Sequence, residues 1–311
     1  MTIHLDIPGT ALSVSPTGQH AVLAAKRGLY VLDLDKTWEA PRVFQHMTSW
    51  ESQWTVQDVQ WNPHLSRSSW IATTSNQRAL VWNIDRGGRA AQAAAGHEPA
   101  TMMPPAVPGS TENVEFILQR HKRTVVDLNW SPFHPESLVT CSYDSWVHLW
   151  DLRRNTNSAP AASFCAWTAA ATQVKFNKQN AYVIASSHDT DVRLWDLRKG
   201  STPVVTLVAH MAKVYGIDWR PDRDHHLVTC GQDGLVKMWD THNPRVPQCE
   251  LNTGSPVWRA RFTPFDASHI VTMAQRRDCF LSLWNLDDLS RPVHVFTGHR
   301  DLPREFVWRR G

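Results

Sequence analysis

Short strands of alternating apolar and polar residues recur along the chain, and most of them end in a tryptophan. The segments ALVWN, VHLWD, VRLWD, VKMWD and LSLWN show the alternation expected of β-strands that bury one face. Stretches rich in Pro, Asn and Asp, such as SPFHPES and RPDRDH, separate them and are typical of turns. The pattern predicts an all-β protein made of many short strands.

The strand-ending tryptophans are evenly spaced. From residue 150 onward they follow one another at intervals of 44 or 45 residues: Trp150, Trp195, Trp239 and Trp284. Trp82 ends an earlier copy, and GLYVLDLD at 28–35 is a degenerate first copy with Leu32 in the tryptophan position. In three units a histidine stands nine residues before another tryptophan: His121, His210 and His299. This period and signature predict that residues 1–311 form one WD-repeat β-propeller.

The two ends of the chain suggest a further, partial blade. Six copies of the strand that ends at Leu32 or at a tryptophan are recognisable as third strands, and we number their units blades 1 to 6 in chain order. REFVW at 304–308 resembles the first strand of another unit. TIHLDI at 2–7 resembles a fourth strand without a blade of its own. We therefore expect a seven-bladed plan in which blade seven is incomplete, with its innermost and outermost strands but not the two between.

One long segment interrupts the repeat between Trp82 and Trp130. Residues 86–111 are rich in Ala, Gly and Pro and contain few large apolar side chains. This composition predicts a flexible insertion loop on the surface. Whether the loop is also an interaction segment stays open.

Composition limits the function. Hydrophobic residues make up 42% and charged residues 20%, and the net charge is +3. No apolar stretch is long enough for a membrane helix, and no basic aromatic stripe suggests nucleic-acid binding. The five cysteines form no CxxC pair, and the sequence lacks glycine-rich phosphate loops, HExxH and GxSxG motifs. We expect no enzymatic activity, no cofactor, no metal site and no membrane insertion.

Within each blade, a histidine, a hydroxyl, an acid and the strand-ending tryptophan are positioned to form a buried chain of hydrogen bonds. For blade 3 the predicted members are His121, Ser142, Asp144 and Trp150. For blade 4 they are Ser187, Asp189 and Trp195, with Trp167 where the histidine would stand. For blade 5 they are His210, Asp233 and Trp239, and Gly231 at the serine position predicts a shorter chain. Because the set recurs blade by blade, it indicates architecture rather than a hydrolase site.

The candidate partner-binding residues follow or begin strands. Four basic residues come directly after third strands of neighbouring blades: Arg153, Arg154, Arg198 and Lys199. They suggest either a solvated rim or a patch for an acidic partner. Trp258 and Arg259 begin the first strand of blade 6, where the tryptophan is either an exposed anchor or part of the core.

Several stretches resemble a known family. The most specific are SSHDTDVRLWD and VWRARFTPF, and VQWNPH, AHMAKVYGIDWRPD and RPVHVFTGH add to them. Together they resemble the amino-terminal propeller of the WD-repeat protein 59 family, the Mtc/Sea-type subunits of the SEA complex of yeasts and the GATOR complex of animals. The resemblance covers essentially the whole chain outside 86–111.

The resemblance implies a scaffold or interaction subunit of the SEA/GATOR-type complex. Such a subunit regulates TOR signalling in response to amino acids, lies in the cytoplasm at the vacuolar or lysosomal membrane, and has other complex subunits as partners. The family continues into an RWD domain and a zinc-binding RING-like end, and we expect neither within these residues. The alternative is a substrate receptor of a cullin-type ubiquitin ligase, because Arg153 and Arg198 stand two places after an aspartate, as in the WD-box of such receptors.

Overall fold

The computed structural model describes residues 8–25, 28–36, 41–45, 55–86, 113–154, 159–167, 169–274, 279–299 and 301–309. In these ranges, short strands pair into six antiparallel sheets of four strands each, and the strands of every sheet lie side by side in chain order. We call these sheets blades 1 to 6. The prediction of an all-β propeller is confirmed.

The first three blades contain strands β1 to β12. Blade 1 comprises β1 (Gly9–Val14), β2 (His20–Ala25), β3 (Gly28–Asp33) and β4 (Arg42–Gln45). Blade 2 comprises β5 (Val59–Trp61), β6 (Trp70–Ser75), β7 (Arg78–Asn83) and β8 (Val114–Gln119), with a 3-10 turn at Leu65–Arg67. Blade 3 comprises β9 (Val125–Trp130), β10 (Ser137–Ser142), β11 (Trp146–Asp151) and β12 (Ala162–Cys165).

The next three blades contain strands β13 to β24. Blade 4 comprises β13 (Ala171–Phe176), β14 (Val183–His188), β15 (Asp191–Asp196) and β16 (Val205–Val208). Blade 5 comprises β17 (Val214–Trp219), β18 (His226–Gly231), β19 (Leu235–Asp240) and β20 (Cys249–Asn252). Blade 6 comprises β21 (Val257–Phe262), β22 (His269–Ala274), β23 (Leu281–Asn285) and β24 (His294–Phe296).

The core lies between neighbouring blades. Trp150 of blade 3, for example, packs in one cluster with Trp70 and Leu118 of blade 2. Trp195 of blade 4 packs in the same way with Phe164 of blade 3. Each sheet has two apolar faces, which a single blade cannot bury alone, so the blades stabilise one another by stacking. The even tryptophan spacing therefore places one large anchor at each of these contacts.

The antiparallel meander defines two faces of the propeller. The turns between second and third strands and the segments between blades form the upper face, which includes Ser145, Trp167 and Met211. The loops from first to second and from third to fourth strands form the lower face, which includes Arg153 and Tyr182. Successive blades thus present equivalent loops on the same face.

The seven-bladed plan is wrong for the described residues, which form six blades. Residues 304–308 join no sheet. They lie instead against blade 6, where Arg261 donates to the Phe306 carbonyl oxygen at 2.8 Å and the Trp308 ring meets Phe265 edge to face at 5.6 Å. A strand needs a neighbouring strand for its backbone hydrogen bonds, and this segment pairs with none in the described ranges.

Two predictions concern residues that the structure does not describe. Residues 2–7, the expected outer strand, lie outside the described ranges, and so do residues 87–111 of the expected insertion. No helix within the described part of the chain is long and apolar enough to span a membrane.

Candidate interaction surfaces and buried hydrogen-bond chains

Blade 3 contains a complete hydrogen-bond chain. Trp150 Nε1 donates to the Thr140 hydroxyl at 3.0 Å, and this hydroxyl lies 2.9 Å from His121 Nε2. His121 Nδ1 lies 3.2 Å from the Asp144 carboxylate, which can only accept, so Nδ1 carries the proton. The Thr140 hydroxyl can then donate to Nε2 of a neutral imidazole. Every polar group in the chain is satisfied without a charge on the ring.

The carboxylate at the end of this chain is strongly held. Burial alone would raise the pKa of Asp144. Hydrogen bonds from His121 and from the backbone N–H groups of Lys122 and Trp146 outweigh burial and lower this pKa to about 2. Asp144 therefore stays ionised and joins the segment before blade 3 to the turn on the upper face.

The predicted hydroxyl of blade 3 is wrong by two residues. Side chains on one face of a strand recur every second residue, and the indole of Trp150 reaches only to Thr140 on that face. Ser142 lies one step further, at the end of β10. Its hydroxyl donates to the Arg123 carbonyl oxygen at 2.9 Å and accepts from the Asp144 N–H at 3.2 Å. Ser142 thus fixes the turn rather than the tryptophan.

The same shift makes the chain of blade 5 complete, so the expected shorter chain is also wrong. Trp239 Nε1 donates to the Thr229 hydroxyl at 2.9 Å, and this hydroxyl lies 2.8 Å from His210 Nε2. His210 Nδ1 lies 2.9 Å from Asp233. A side chain at Gly231 would approach both His210 Nδ1 and an Asp233 oxygen at 3.1 Å. The lack of a side chain at Gly231 therefore allows His210 and Asp233 to pack closely against the backbone there.

Blade 4 builds its chain from different residues than predicted. Trp195 Nε1 donates to the Ser186 hydroxyl at 2.8 Å, and this hydroxyl lies 2.8 Å from His188 Nε2. Burial lowers the pKa of His188 to about 4. Ser187 instead bonds the Thr172 hydroxyl at 2.9 Å. Asp189 lies in the following turn with a φ of 50°, where its carbonyl oxygen accepts from the Val214 N–H.

The sequence patterns did not predict two further hydrogen bonds between a tryptophan and a hydroxyl. Trp82 donates to Thr73 at 2.9 Å in blade 2, and Trp284 donates to Thr272 at 2.9 Å in blade 6. A threonine in the middle of the second strand was the available signal. The repetition through five blades assigns these residues to the scaffold.

Polar side chains of the first strands form a second repeated contact that the sequence analysis did not identify. The Val174 N–H of blade 4 donates to Asp127 of blade 3 at 2.8 Å, and Lys175 Nζ donates to the same carboxylate at 2.8 Å. The Phe262 N–H of blade 6 likewise donates to Asp218 of blade 5 at 3.0 Å. The polar positions inside VVDLNW and VYGIDW were the signal. These contacts tie neighbouring blades along their innermost strands.

The candidate arginines of the lower face are held by their own blades. Arg153 makes two hydrogen bonds of 2.9 Å to Asp151. Arg198 makes equivalent bonds of 2.9 and 2.8 Å to Asp196 and lies over the Tyr182 ring at 4.4 Å. Both arginines line a groove of about 280 Å³ between blades 3 and 4.

The remaining two basic candidates are exposed near this groove. Arg154 lies 3.6 Å from Asp151, and Lys199 is exposed. The structure therefore brings the four basic candidates to one face. It also gives three of them an acidic neighbour on their own blade.

Trp258 and Arg259 lie at the opposite end of the blades from these arginines. Trp258 is half-buried and packs on the Tyr215 ring at 5.1 Å. Arg259 donates to the Tyr215 carbonyl oxygen at 2.9 Å and lies 3.6 Å from Glu305. These contacts border a cavity of about 300 Å³ that Pro303 also lines. The six candidate binding residues therefore do not form a single surface.

The most exposed large apolar side chains of the upper face were not among the predicted site residues. Trp167 is 79% exposed and Met211 is 92% exposed. The Trp167 ring meets Trp146 edge to face at 5.6 Å, and its backbone has a φ of 60°. In blade 4, His188 supplies the imidazole of the hydrogen-bond chain. Trp167, which stands at the sequence position of the histidine in blades 3 and 5, is therefore left outside the core.

Comparisons with known proteins identify the repeats. The model of the WD domain, G-beta repeat family matches residues 112–151, 159–196 and 201–240. A solved structure described as the mitotic checkpoint complex contains a chain that superposes with a TM-score of 0.75 and 17% identity, covering 96% of this chain and 82% of that one. At this identity the likeness shows the fold alone.

Relatives match over nearly the whole chain. GATOR2 complex protein WDR59 of Homo sapiens is 41% identical over 307 residues, which cover 98% of this chain and 28% of that protein. Maintenance of telomere capping protein 5 of Saccharomyces cerevisiae is 35% identical over 320 residues, 99% of this chain and 25% of that protein. An RWD, RING finger and WD repeat-containing protein of Schizosaccharomyces pombe is 38% identical over 316 residues, 99% of this chain and 22% of that protein. The chain thus spans about a quarter of the length of these relatives.

Proposed function

The chain belongs to the WD-repeat family of WDR59 and maintenance of telomere capping protein 5, and we propose that it is a non-catalytic scaffold subunit of a SEA/GATOR-type complex. In this proposal the complex regulates TOR signalling in response to amino acids. It acts at the vacuolar or lysosomal membrane, where the chain is held through its protein partners. The names of the animal relatives, which describe GATOR2 complex proteins, support the assignment to that complex.

A scaffold role agrees with the chemistry of the blades. The residues that could resemble a catalytic set, His121, Thr140 and Asp144, are bound to one another and to Trp150 in a chain that recurs in blade 5. His121 is 5% exposed and Thr140 is fully buried. A substrate could reach neither side chain. These groups stabilise the blade.

Trp167 is the observation that carries the proposal. A non-glycine residue in the left-handed region costs roughly 1–2 kcal/mol, and a tryptophan that is 79% exposed recovers little of this by burial. Strained residues of this kind concentrate at functional sites. Tryptophan is also the residue type most enriched among the anchors of protein interfaces. Trp167, on the same upper face as the exposed Met211, therefore fits a docking point for a protein.

The lower face displays apolar side chains of its own. Four blades each expose one large apolar residue from the loop between first and second strands: Leu65, Phe133, Tyr182 and Phe265. Exposed apolar side chains repeated around a ring suit contacts with several partners. A scaffold that joins subunits on two sides requires two such faces.

The arginines give no support to the alternative of a cullin-type substrate receptor. Arg153 and Arg198 follow the aspartates as the alternative requires, but their bidentate pairs with Asp151 and Asp196 account for them within the chain. Co-purification of a cullin adaptor with the chain would distinguish the alternative.

Affinity purification of the tagged full-length gene product, followed by mass spectrometry, tests the proposal. We expect SEA/GATOR-type subunits to co-purify with the natural sequence and to be reduced with a Trp167→Ala, Met211→Ala variant. Val43→Ala is the matched control, because Val43 is 47% exposed but lies within the outer strand of blade 1. Recovery of a cullin adaptor without those subunits would overturn the proposal in favour of the receptor. Imaging of the tagged protein against a vacuolar or lysosomal marker tests the location.

A further inference from the structure

The lower end of blade 5 differs from the lower ends of blades 3 and 4. In blade 4, Arg198 follows the strand-ending Asp196 by two residues and binds it through two nitrogens, and Arg153 does the same in blade 3. In blade 5 the residue two places after Asp240 is His242. A guanidinium is a permanent cation, whereas a neutral imidazole offers a nitrogen lone pair. The cation that follows this aspartate in blades 3 and 4 is thus replaced in blade 5 by an imidazole, a side chain that can bind a metal ion.

A second histidine occupies the neighbouring position. The Thr241 N–H donates to the His225 carbonyl oxygen at 2.9 Å, just as Leu197 donates to Tyr182 in blade 4. His225 therefore stands where blade 4 has the tyrosine that packs under its arginine. One ligand atom from each of His225, Asp240 and His242 lies within 4.8 Å of the others. Backbone pairing alone brings these three side chains together.

The surroundings orient His225 for coordination. Its Nδ1 lies 2.8 Å from Asp224 Oδ1, and because a carboxylate can only accept, Nδ1 is the protonated nitrogen. The lone pair of the neutral ring is then on Nε2. A carboxylate that fixes a histidine in this way is the usual outer partner of a metal-bound imidazole. Beside it, 4.3 Å between ring centroids, the buried His226 has an Nδ1 without a hydrogen-bond partner among the described residues.

We propose that His225, Asp240 and His242 form a binding site for a divalent metal ion of the zinc type on the lower face of blade 5. Two imidazoles and one carboxylate suit Zn²⁺ and its neighbours in the transition series, whereas Mg²⁺ and Ca²⁺ prefer sites made of oxygen ligands. Three protein ligands leave a coordination position open at the surface, where His242 is 76% exposed. The expectation of no metal site is based on the absence of a CxxC pair, whereas these three ligands meet only through strand pairing.

The decisive variant is His242→Arg. This substitution gives blade 5 the aspartate–arginine pair of blades 3 and 4, so it removes a ligand while leaving Asp240 with a partner. We titrate the whole chain with Zn²⁺ by calorimetry, with its five cysteines kept reduced, and with Co²⁺ by visible absorption. His269→Ala is the control, because His269 also pairs with an aspartate, at 3.0 Å from Asp266, on the lower face of blade 6.

We expect the natural chain and His269→Ala to bind one Zn²⁺ with equal affinity. His242→Arg and His225→Ala should lose this binding, and Asp224→Asn should weaken it by about 10- to 100-fold. The Co²⁺ spectrum should show nitrogen and oxygen ligands without a thiolate band. Unchanged Zn²⁺ affinity in a folded His242→Arg chain, or no binding by the natural chain, would overturn the proposal. Circular dichroism establishes that each variant is folded.

Discussion

Trp150 donates its indole N–H to the hydroxyl of Thr140 at 3.0 Å, and the same hydroxyl meets His121 Nε2 at 2.9 Å. One buried oxygen thus joins the third strand of blade 3, its second strand and the segment that precedes the blade. Equivalent hydroxyls serve Trp195 and Trp239 in the next two blades. The hydroxyl therefore joins the tryptophan to the histidine in each of these chains, and in blades 3 and 5 an aspartate follows the histidine.

Thr140→Val should destabilise the fold by about 2–3 kcal/mol, because it leaves the Trp150 N–H and the His121 Nε2 buried without a partner. Ser142→Ala should cost about 1 kcal/mol, because it removes only the contacts of a turn. Urea unfolding followed by tryptophan fluorescence measures both. An equal or larger loss with Ser142→Ala would contradict the central role of Thr140.

The buried histidines should make the fold sensitive to acid. Burial lowers the pKa of His148 to about 3 and that of His188 to about 4, from an ordinary value of 6.5. Below about pH 6.5 these histidines bind protons in the unfolded chain but stay neutral in the folded chain. The free energy of unfolding is therefore largest above this pH and falls as the pH drops towards 4. Thermal unfolding between pH 7.5 and about 4.5 checks the sign.

His148→Gln provides the comparison for this pH series. Glutamine keeps a polar group beside Ser163, which His148 Nδ1 meets at 2.9 Å, but it does not titrate. The variant should lose less stability than the natural chain over the same pH range. An equally steep loss would show that His148 does not contribute. The lowered pKa of Asp144 affects stability only at more acidic pH, as the pH falls from about 3.8 towards 2.

Asp58 and Asp127 should respond oppositely to the removal of their charges. Burial and the neighbouring charge of Asp127 raise the pKa of Asp58, so its contribution to stability is present in acid and is lost as the pH rises through this raised pKa. Asp58→Asn should therefore maintain or increase stability at pH 8. Asp127→Asn should decrease it, because Lys175 at 2.8 Å loses its buried partner.

Chemical denaturation of the two asparagine variants at pH 6 and pH 8 measures this difference. The gain with Asp58→Asn should be larger at pH 8 than at pH 6. A loss of stability with Asp58→Asn that equals the loss with Asp127→Asn would show that both carboxylates are ionised in the fold.

Trp167→Gly should stabilise the chain by about 1 kcal/mol, because glycine adopts a φ of 60° without strain. Trp167→Ala should change the free energy of unfolding by less than about 0.5 kcal/mol, as expected for an exposed side chain. Both variants should reduce recovery of the co-purifying subunits. Full recovery of those subunits with a Trp167→Gly chain that is more stable than the natural chain would show that Trp167 is not needed for partner binding.

The sequence predicted the scaffold well where one pattern repeats. Even spacing of Trp150, Trp195, Trp239 and Trp284 indicated the blades, because each tryptophan must reach the same place between neighbouring sheets. It placed the histidine, the acid and the tryptophan of blades 3 and 5, but not the hydroxyl. Ser142 and Thr140 lie on the same strand face, and only the reach of the indole across the sheet selects between them.

What the sequence determined by itself was local and periodic: strand alternation, turn composition and the interval between tryptophans, all set within a few tens of residues. The tertiary structure decided which residues meet between blades and at blade ends. His188 replaces the absent histidine of blade 4, Trp167 is left exposed as a result, and His225 meets His242 because antiparallel pairing returns the chain to the same edge. These contacts depend on distances across the sheet, which spacing along the chain does not specify.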